Sequence, residues 1–577
     1  MLAPFPLEIL SQFAAEDSLQ SILSREIPLP ARIAAIQKLL DGPARELLRA
    51  QLGRWVVQFL PVEDLVPSIY MEWRPLVHDA MVFMLSHLST ARLAPKLIEQ
   101  IDLPRETSTE ARLLRLIAKV PGLQKLGQVL ARNRHLHAKL RKALTELENG
   151  ISDVTTEQMH AVLRHQLGRR IGKHEVEIEP DIFLEASVSA VIRFTWYNPD
   201  TGQRERGVFK VLKPYIPVCF AEDMRLLAEL ARYIGSKHTQ YGFAEHVLPD
   251  TFQDVRRLLQ HEVQFSREQK TLLKVYPLYS KQKGVRVPRL IEPLCSARVT
   301  AMTEERGKKV TDSVRGLSVW TRRRIAERLV ETLFAVPLFS PAGDVVFHAD
   351  PHAGNLLYDK ATDRLTILDW ALTESLSRDQ RRHLALMFLM IALRNGPGVC
   401  EHIQALSRSR RRVRKQAQLI ADAVAECIEQ MPLTSFPAPV DAMNLLETIA
   451  YKGVRLPASL LMLRKVLFTL DGILHDITGS NVSMEFVMAR RLFQNWMSAW
   501  TSFGSPLSFR DWLLVQSSAA LYPSRLFVQW EQRALKRSRK QAGRKTRARN
   551  SLPRVASSNN QSRGRTPQDT NPVLETA

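Results

Sequence analysis

The 577-residue sequence predicts an α+β fold, mainly helical, in which a small strand-and-helix lobe precedes a larger helical lobe. Three observations predict it. Leu, Ala and Arg are abundant, and 45% apolar with 24% charged residues is the composition of a folded chain. Apolar residues recur at helical spacing along most of the chain, but between about 180 and 305 runs with the period of strands appear. The length also exceeds what one compact core holds, so more than one domain is expected.

The elements follow in order. Residues 1–115, as in LLDGPARELLRAQLGRWVVQFL, read as a helical region broken by Pro and Gly, without a catalytic motif, and residues 116–180 continue helical. EASVSAVIRFTWYN and RERGVFKVLK, joined at NPDTG, are β-rich runs about a turn and predict a hairpin. The helices AEDMRLLAELARYI and TFQDVRRLLQHEVQFSREQKTLLKVY follow, then a short extended pair, VRVPRLIEPL and ARVTAMTEE. From Thr311 to about residue 495 the pattern is helical, interrupted by FHADPHAGNLLYDKATDRLTILDWA at 347–371. An amphipathic stretch, FRDWLLVQSSAALYPSRLFVQW (509–530), leads into RALKRSRKQAGRKTRAR (533–549), which holds no acid. That basic run and the Ser-, Asn-, Gln- and Pro-rich end predict disorder, because they bury too little apolar area to offset ordering entropy.

A net charge of +22 and a pI near 10.0 call for an anionic partner or surface. The basic run SRSRRRVRK (407–415) reads equally as a solvated helix face or as a contact for anionic lipid or nucleic acid. No aromatic residues interleave it, as readers of single strands need, which weighs against nucleic acid. Cys219, Cys295, Cys400 and Cys427 lie far apart without CxxC spacing, fitting neither a disulfide framework nor a zinc site and pointing to a reducing compartment. The start MLAPFPLEILSQFAAED lacks the basic opening of a signal peptide. No apolar run approaches the roughly 20 residues that span a bilayer. A cytoplasmic chain, free to attach peripherally to a membrane, is the expectation.

The chemistry concentrates in HADPHAGN and LDWA. His348, Asp350 and His352 offer nitrogen and oxygen ligands at alternate positions, which is a transition-metal reading. Pro351 removes an amide and Gly354 follows, so the segment is a loop, and no second histidine cluster completes a zinc set. Phosphoryl transfer accounts for more of it. In protein-kinase-like enzymes a catalytic-loop Asp precedes an Asn by five residues, and a metal-binding Asp opens a later loop. Asp350 stands in that relation to Asn355, and Asp369 ends the apolar run LTILD. NLLYDKATDRLTIL between them has a hairpin pattern that brings Asn355 and Asp369 to one end. An amide oxygen and a carboxylate suit magnesium, leaving Asp350 to orient an attacking hydroxyl or water. A plain hairpin with turn-forming Asp and Asn is the alternative. Upstream, Lys210 in GVFKVLKP projects from a strand, where it would hold phosphates, and Glu268 in HEVQFSREQK lies on a helix that would hold Lys210.

With KLGQ (Lys125-Leu126-Gly127-Gln128) well before that lysine, the chain resembles the AarF/UbiB family of atypical protein-kinase-like proteins, whose signatures are KxGQ and HADPHPGN. The resemblance covers roughly residues 115–480, including LPASLLMLRKVLFTLDGIL. It implies a two-lobed atypical protein-kinase-like fold with an N-terminal helical extension, using ATP and Mg2+, in ubiquinone or other isoprenoid-lipid metabolism. The domain plan is then a helical region 1–115, a kinase-like domain 116–495 (N-lobe about 180–305, C-lobe about 306–495), and 496–577 as amphipathic segment and disordered basic tail. The resemblance makes Lys210, Glu268 and Asp350 catalytic and Asn355 and Asp369 metal ligands. Nucleotide would be bound by Lys210, by Ala186 and Ser187 of an alanine-rich loop that replaces a glycine-rich cover, and by Glu304. Lys125, Gly127 and Gln128 would be regulatory, with Lys125 paired to Glu262. The implied partners are ATP, an isoprenoid lipid or anionic membrane surface, and lipid-biosynthesis proteins.

Four departures stand out. Glu262-Val263-Gln264 loses the second carboxylate of the family's ExD element, and Ala190 stands where the alanine-rich loop has glutamine. Asp369-Trp370-Ala371 lacks the glycine of DFG, and Ala349 replaces the arginine of HRD. Two other readings use the same residues. A choline- or aminoglycoside-type small-molecule kinase shares HxDxHxxN…DW but not KxGQ, and a nucleotide-binding pseudokinase scaffold would explain the departures.

Overall fold

The computed structural model describes residues 16–58, 71, 74–104, scattered positions from 107 to 120, 154–186, 188–241, 256, 259–340, 342–407, 413–433, 439–479, 487, 490 and 506–550. They form two compact units, residues 1–382 with 456–506 and residues 383–455 with 507–577. As expected, the fold is mainly helical with small sheets.

Among its described residues the first unit has, in order, helices α1 (Glu16–Leu23), α2 (Leu29–Leu40), α3 (Arg45–Gln58), α4 (Arg74–His87) and α5 (Thr90–Asp102). Ile22, Ile36, Leu40, Leu52, Leu93 and Leu97 of these helices share one core with Ile216, Phe220 and Leu230 further along the chain. Arg32 is buried there, its guanidinium forked onto Asp102 at 2.9 and 2.8 Å. Helix α6 (Thr156–Leu167) starts at a capping box in which Thr155 and Gln158 satisfy each other's backbone amides.

Strands β1 (Glu177–Glu185), β2 (Ser189–Asn198), β3 (Gln203–Leu212) and β5 (Val299–Thr303) form a sheet in the order β1-β2-β3-β5. The expected β2–β3 hairpin forms, in unbroken antiparallel register from Ser189↔Leu212 to Asn198↔Gln203. Alternation puts Ile192, Phe194, Phe209 and Val211 on one buried face, where Phe194 and Phe209 stack at 3.8 Å. Gly207 sits against that stack, and a Cβ there would lie 2.5 Å from the Phe194 ring, so the position requires glycine. Lys210, one step from Phe209 and Val211, is thereby turned to the opposite face.

Helix α7 (Ile216–Ser236) follows, then α8 (Phe265–Tyr279). The sequence pattern read as one helix is broken at Gln264, whose φ of −89° and ψ of 75° are not helical. No Pro or Gly marks the break, and Phe265 and Glu268 just beyond it are buried. The expected pairing of VRVPRLIEPL with ARVTAMTEE reduces to a single bridge, Leu290↔Met302. Pro288 and Pro293 remove the amides a ladder would use, and β4 (Val285–Arg286) pairs in parallel with β9 (Arg364–Ile367) instead.

That second sheet runs β4-β9-β8-β6, with β6 at Lys308–Lys309 and β8 at Leu356–Asp359. Beyond α9 (Val319–Val330), β7 (Val345–His348) pairs antiparallel with β10 (Thr373–Leu376). The chain then passes through α10 (Arg378–Ala392), α11 (Gly396–Leu406), α12 (Val413–Gln430) and α13 (Pro439–Tyr451), and returns to the first unit with α14 (Ala458–Thr478).

In the second unit α15 (Phe509–Ala520) begins at a Ser508–Asp511 capping box, and α16 runs Tyr522–Asn550. The basic run 533–549, expected to be disordered, is therefore helical. Ala, Leu, Lys, Arg and Gln are strong helix formers and no Pro interrupts them before Pro553, so local propensity carries the helix where composition alone argued against order. Residues 551–577 lie outside the described residues. Polar contacts tie these two helices to the rest of the unit: Ser518 accepts from Asn395 at 2.9 Å and Gln529 from Arg394 at 2.6 Å. Their outer side is apolar, with Phe509, Leu513, Leu521, Phe527, Val528 and Trp530 exposed.

Candidate active site

Lys210 is the centre of a three-residue charge cluster. Its Nζ donates to both Glu268 oxygens, at 2.9 and 3.1 Å, and to Asp369 Oδ1 at 3.0 Å. β3 aims the lysine, the first turn of α8 places Glu268, and the end of the β8–β9 hairpin places Asp369. An acid in a helix's first turn also meets the positive end of its dipole. Only 1% of the Glu268 side chain is exposed, against 44% for Asp369. Burial raises the Glu268 carboxyl to about 7, and Lys210 offsets only part of that. For Asp369, burial also opposes ionisation, but the ammonium outweighs it and holds the carboxyl at about 2. Burial works against the Lys210 ammonium too, and Asp369 and Glu268 together overcome it, raising its pKa.

The loop from His348 to Asn355 is fixed mainly by its own backbone. The His348 ring has both nitrogens engaged: Nδ1 accepts the Asp350 amide at 3.1 Å and Nε2 lies 3.0 Å from the Leu368 carbonyl. Burial lowers its pKa, so the neutral ring with a proton on Nε2 fits this network. Its edge meets the fully buried Trp370 at 5.1 Å. His352 Nδ1 accepts the Gly354 amide at 3.1 Å, and the Asn355 Nδ2 donates to the Asp350 carbonyl at 3.3 Å. That bond uses the nitrogen of the Asn355 amide and leaves its oxygen as the ligand-type atom. The expected β8–β9 hairpin forms, paired from Leu356↔Ile367 to Asp359↔Arg364, and Leu368 N donates to Asn355 O at 2.8 Å, which brings the start of β8 beside the end of β9. Asp369 itself has a φ of +52°, a left-handed conformation rare outside glycine, though Asp tolerates it better than most.

The remaining expected positions are dispersed. Ala186 closes a tight turn between β1 and β2 through its amide to Ser189 O at 2.8 Å, while Ser187 lies outside the described residues. Ala190 is not in that turn but fully buried in β2. The Glu304 carboxylate is engaged by Arg193 at 2.7 Å and Arg206 at 2.8 Å. Glu262 lies on a short helical segment just before the break at Gln264, and Lys125, Gly127 and Gln128 lie outside the described residues.

Two lysines escaped the sequence reading. Lys213, fully buried, pairs with Glu185 at 2.8 Å, and its amide donates to Val188 O at 3.0 Å, so an ion pair closes the β1–β2 turn. Lys465, from α14, reaches Asp350 Oδ1 at 3.0 Å. Its signal was a charge inside the apolar helix LLMLRKVLFTL, visible but without an assignable partner 115 residues away.

Residues 146–403 match the ABC1 atypical kinase-like domain. A protein of Aeromonas hydrophila described as "Probable protein kinase UbiB" is 23% identical over 420 residues, covering 71% of this chain and 72% of that one. A protein of Azotobacter vinelandii with the same description is 24% identical over 381 residues, covering 64% and 69%. The solved complex of Rv3197 with erythromycin from Mycobacterium tuberculosis aligns at 17% identity and a TM-score of 0.40, over 63% of this chain and 89% of that one.

Proposed function

Because this chain belongs to the AarF/UbiB family through its ABC1 atypical kinase-like domain, we propose that it is an ATP- and magnesium-dependent kinase or ATPase acting in ubiquinone or other isoprenoid-lipid metabolism. The observation that carries the chemistry is Lys210 held between Glu268 and Asp369, all within 3.1 Å. The donor set fits the cofactor: a carboxylate and an amide oxygen are hard ligands for Mg2+, and Asp369 stays ionised across the physiological range. When bound, magnesium nucleotide supplies the transferable phosphoryl group and part of the neutralising charge.

In this reading Lys210 binds phosphate oxygens, and Glu268, anchored in α8, holds the ammonium toward them. Asp369 and Asn355 hold the metal. Asp350, buried near the start of the loop, orients the attacking hydroxyl or water and accepts its proton. Positioning and charge stabilisation account for most catalysis of this type. Ala186, in the turn closed by Lys213 and Glu185, and Ser187, next to it in sequence, cover the phosphates, with Glu304 bordering the nucleotide. The motif pairing of Lys125 with Glu262 is part of the same proposal, as is the extent of the domain over 116–495.

The test is equilibrium binding of ATP with and without Mg2+, followed by phosphate release. Expected is binding that tightens with Mg2+ and measurable hydrolysis. Binding without any turnover favours a scaffold, and no binding ends the nucleotide reading. Rapid phosphorylation of a soluble amino-alcohol would instead support the small-molecule kinase.

Among the described residues no helix is long and apolar enough to cross a membrane. The outward apolar face of α15 and α16, continuous with an acid-free basic stretch, supports peripheral attachment to an anionic membrane surface. Basic side chains near such a leaflet contribute about 1 kcal/mol each. Wild-type protein is expected to sediment with phosphatidylserine vesicles, less so at high salt. Phe527→Glu with Trp530→Glu, at positions 62% and 58% exposed, should leave it in the supernatant without changing its melting temperature. Equal sedimentation of both proteins removes this face as the anchor.

A further inference from the structure

Asp350 is buried in the loop that follows β7. His348 is buried, with both ring nitrogens bonded to backbone groups, and the Nδ1 of His352 accepts the Gly354 amide. The lysine of β3 is occupied by Glu268 and Asp369. A carboxylate that must work beside a phosphoryl group faces like-charge repulsion, which a nearby cation offsets. Lys465 of α14 places Nζ 3.0 Å from Asp350 Oδ1. The Asp350 side chain is 6% exposed, while Lys465 is 41% exposed, so the ammonium approaches the buried carboxylate from its open side. The rest of α14 fixes the approach, since Leu463, Val466, Leu467 and Leu470 around Lys465 are all buried.

We propose that Lys465 is a positioning residue for phosphoryl transfer. It fixes the Asp350 carboxylate through Oδ1 and offsets the repulsion between that carboxylate and the transferred group. This rests on the reading of the site as a phosphotransfer centre. A lysine on a four-carbon arm suits the task, because it can follow the carboxylate as charge builds on the phosphoryl oxygens. A misplaced general base costs on the order of 100-fold in rate when the remaining machinery is intact.

The experiment compares wild type with Lys465→Met, Lys465→Gln and Lys465→Arg by three measurements. These are melting temperature, affinity for magnesium ADP with and without aluminium fluoride as a mimic of the transferred phosphoryl, and ATP hydrolysis. Glutamine keeps a hydrogen-bond donor without the charge and covers the case in which methionine fails to fold. Expected for Met and Gln is ADP affinity within about twofold of wild type, a fall of about 30- to 100-fold in kcat, and a matching loss of the extra affinity that aluminium fluoride confers. Arginine should recover at least a tenth of kcat. The proposal is overturned if folded Lys465→Gln keeps wild-type kcat and mimic affinity. It is equally overturned if activity falls only in step with ADP affinity or with the folded fraction, because a plain stabilising ion pair would do that. If the wild type binds no nucleotide, the functional reading itself fails and this proposal with it; if the wild type turns over and the variants match it, only Lys465 is lost.

Discussion

Lys210→Met lowers the stability of the first unit by about 3–5 kcal/mol at pH 8, read from urea unfolding, because it leaves the Glu268 carboxylate buried without its cation. Double substitution Lys210→Met with Glu268→Gln should recover most of the loss, since removing both charges also removes the uncompensated one. The pH dependence has a definite sign. A carboxyl whose folded pKa lies above its unfolded value makes a contribution that is full below the unfolded pKa and is lost as pH rises through the folded one. Glu268 already stands at about 7 in the folded protein, against 4.5 as a free side chain. Without Lys210, which lowers it, that window extends upward. The deficit of the variant is therefore smaller near pH 5, where mainly the Asp369 contact is lost, and grows toward pH 8. A deficit independent of pH, or a double variant no more stable than the single one, contradicts this account.

Asp369→Asn separates chemistry from folding. Asp369 is 44% exposed, and Lys210 keeps Glu268 when the aspartate is neutralised, so stability should stay within about 1 kcal/mol of wild type. Magnesium-dependent ATP hydrolysis should fall by about 100- to 1000-fold, the range seen when one preorganised electrostatic contact is removed. Half-saturation for Mg2+ should also rise, because asparagine offers a neutral oxygen in place of an anionic one. Hydrolysis within threefold of wild type, at unchanged Mg2+ dependence, would exclude Asp369 as a metal ligand.

The sequence made local features legible. The β2–β3 and β8–β9 hairpins follow from alternation around turn residues, and their registers confirm it. That Lys210 and Glu268 meet follows from the order of a strand lysine and a helix glutamate, 58 residues apart. Features set by tertiary contact were not legible. Gln264 breaks a helix although its neighbours favour continuation and no Pro or Gly marks the place. The parallel partner of β4 comes from β9, beyond the reach of any local pattern. Lys465 was visible as a charge on an apolar helix, but only folding shows that Asp350 receives it. The basic stretch after Arg533 misled in the other direction: charge composition argued against order, and helix propensity prevailed.

The left-handed backbone at Asp369 has a consequence for protein engineering. Asparagine and glycine both accept that conformation more readily than aspartate, so either substitution relaxes the main chain at this point. A screen that rewards thermostability alone would therefore tolerate or favour changes at the one exposed carboxylate of the Lys210 cluster. Under the proposed function, thermostable variants of this protein are best selected with Asp369 held constant, since heat resistance and loss of phosphoryl transfer would otherwise be enriched together.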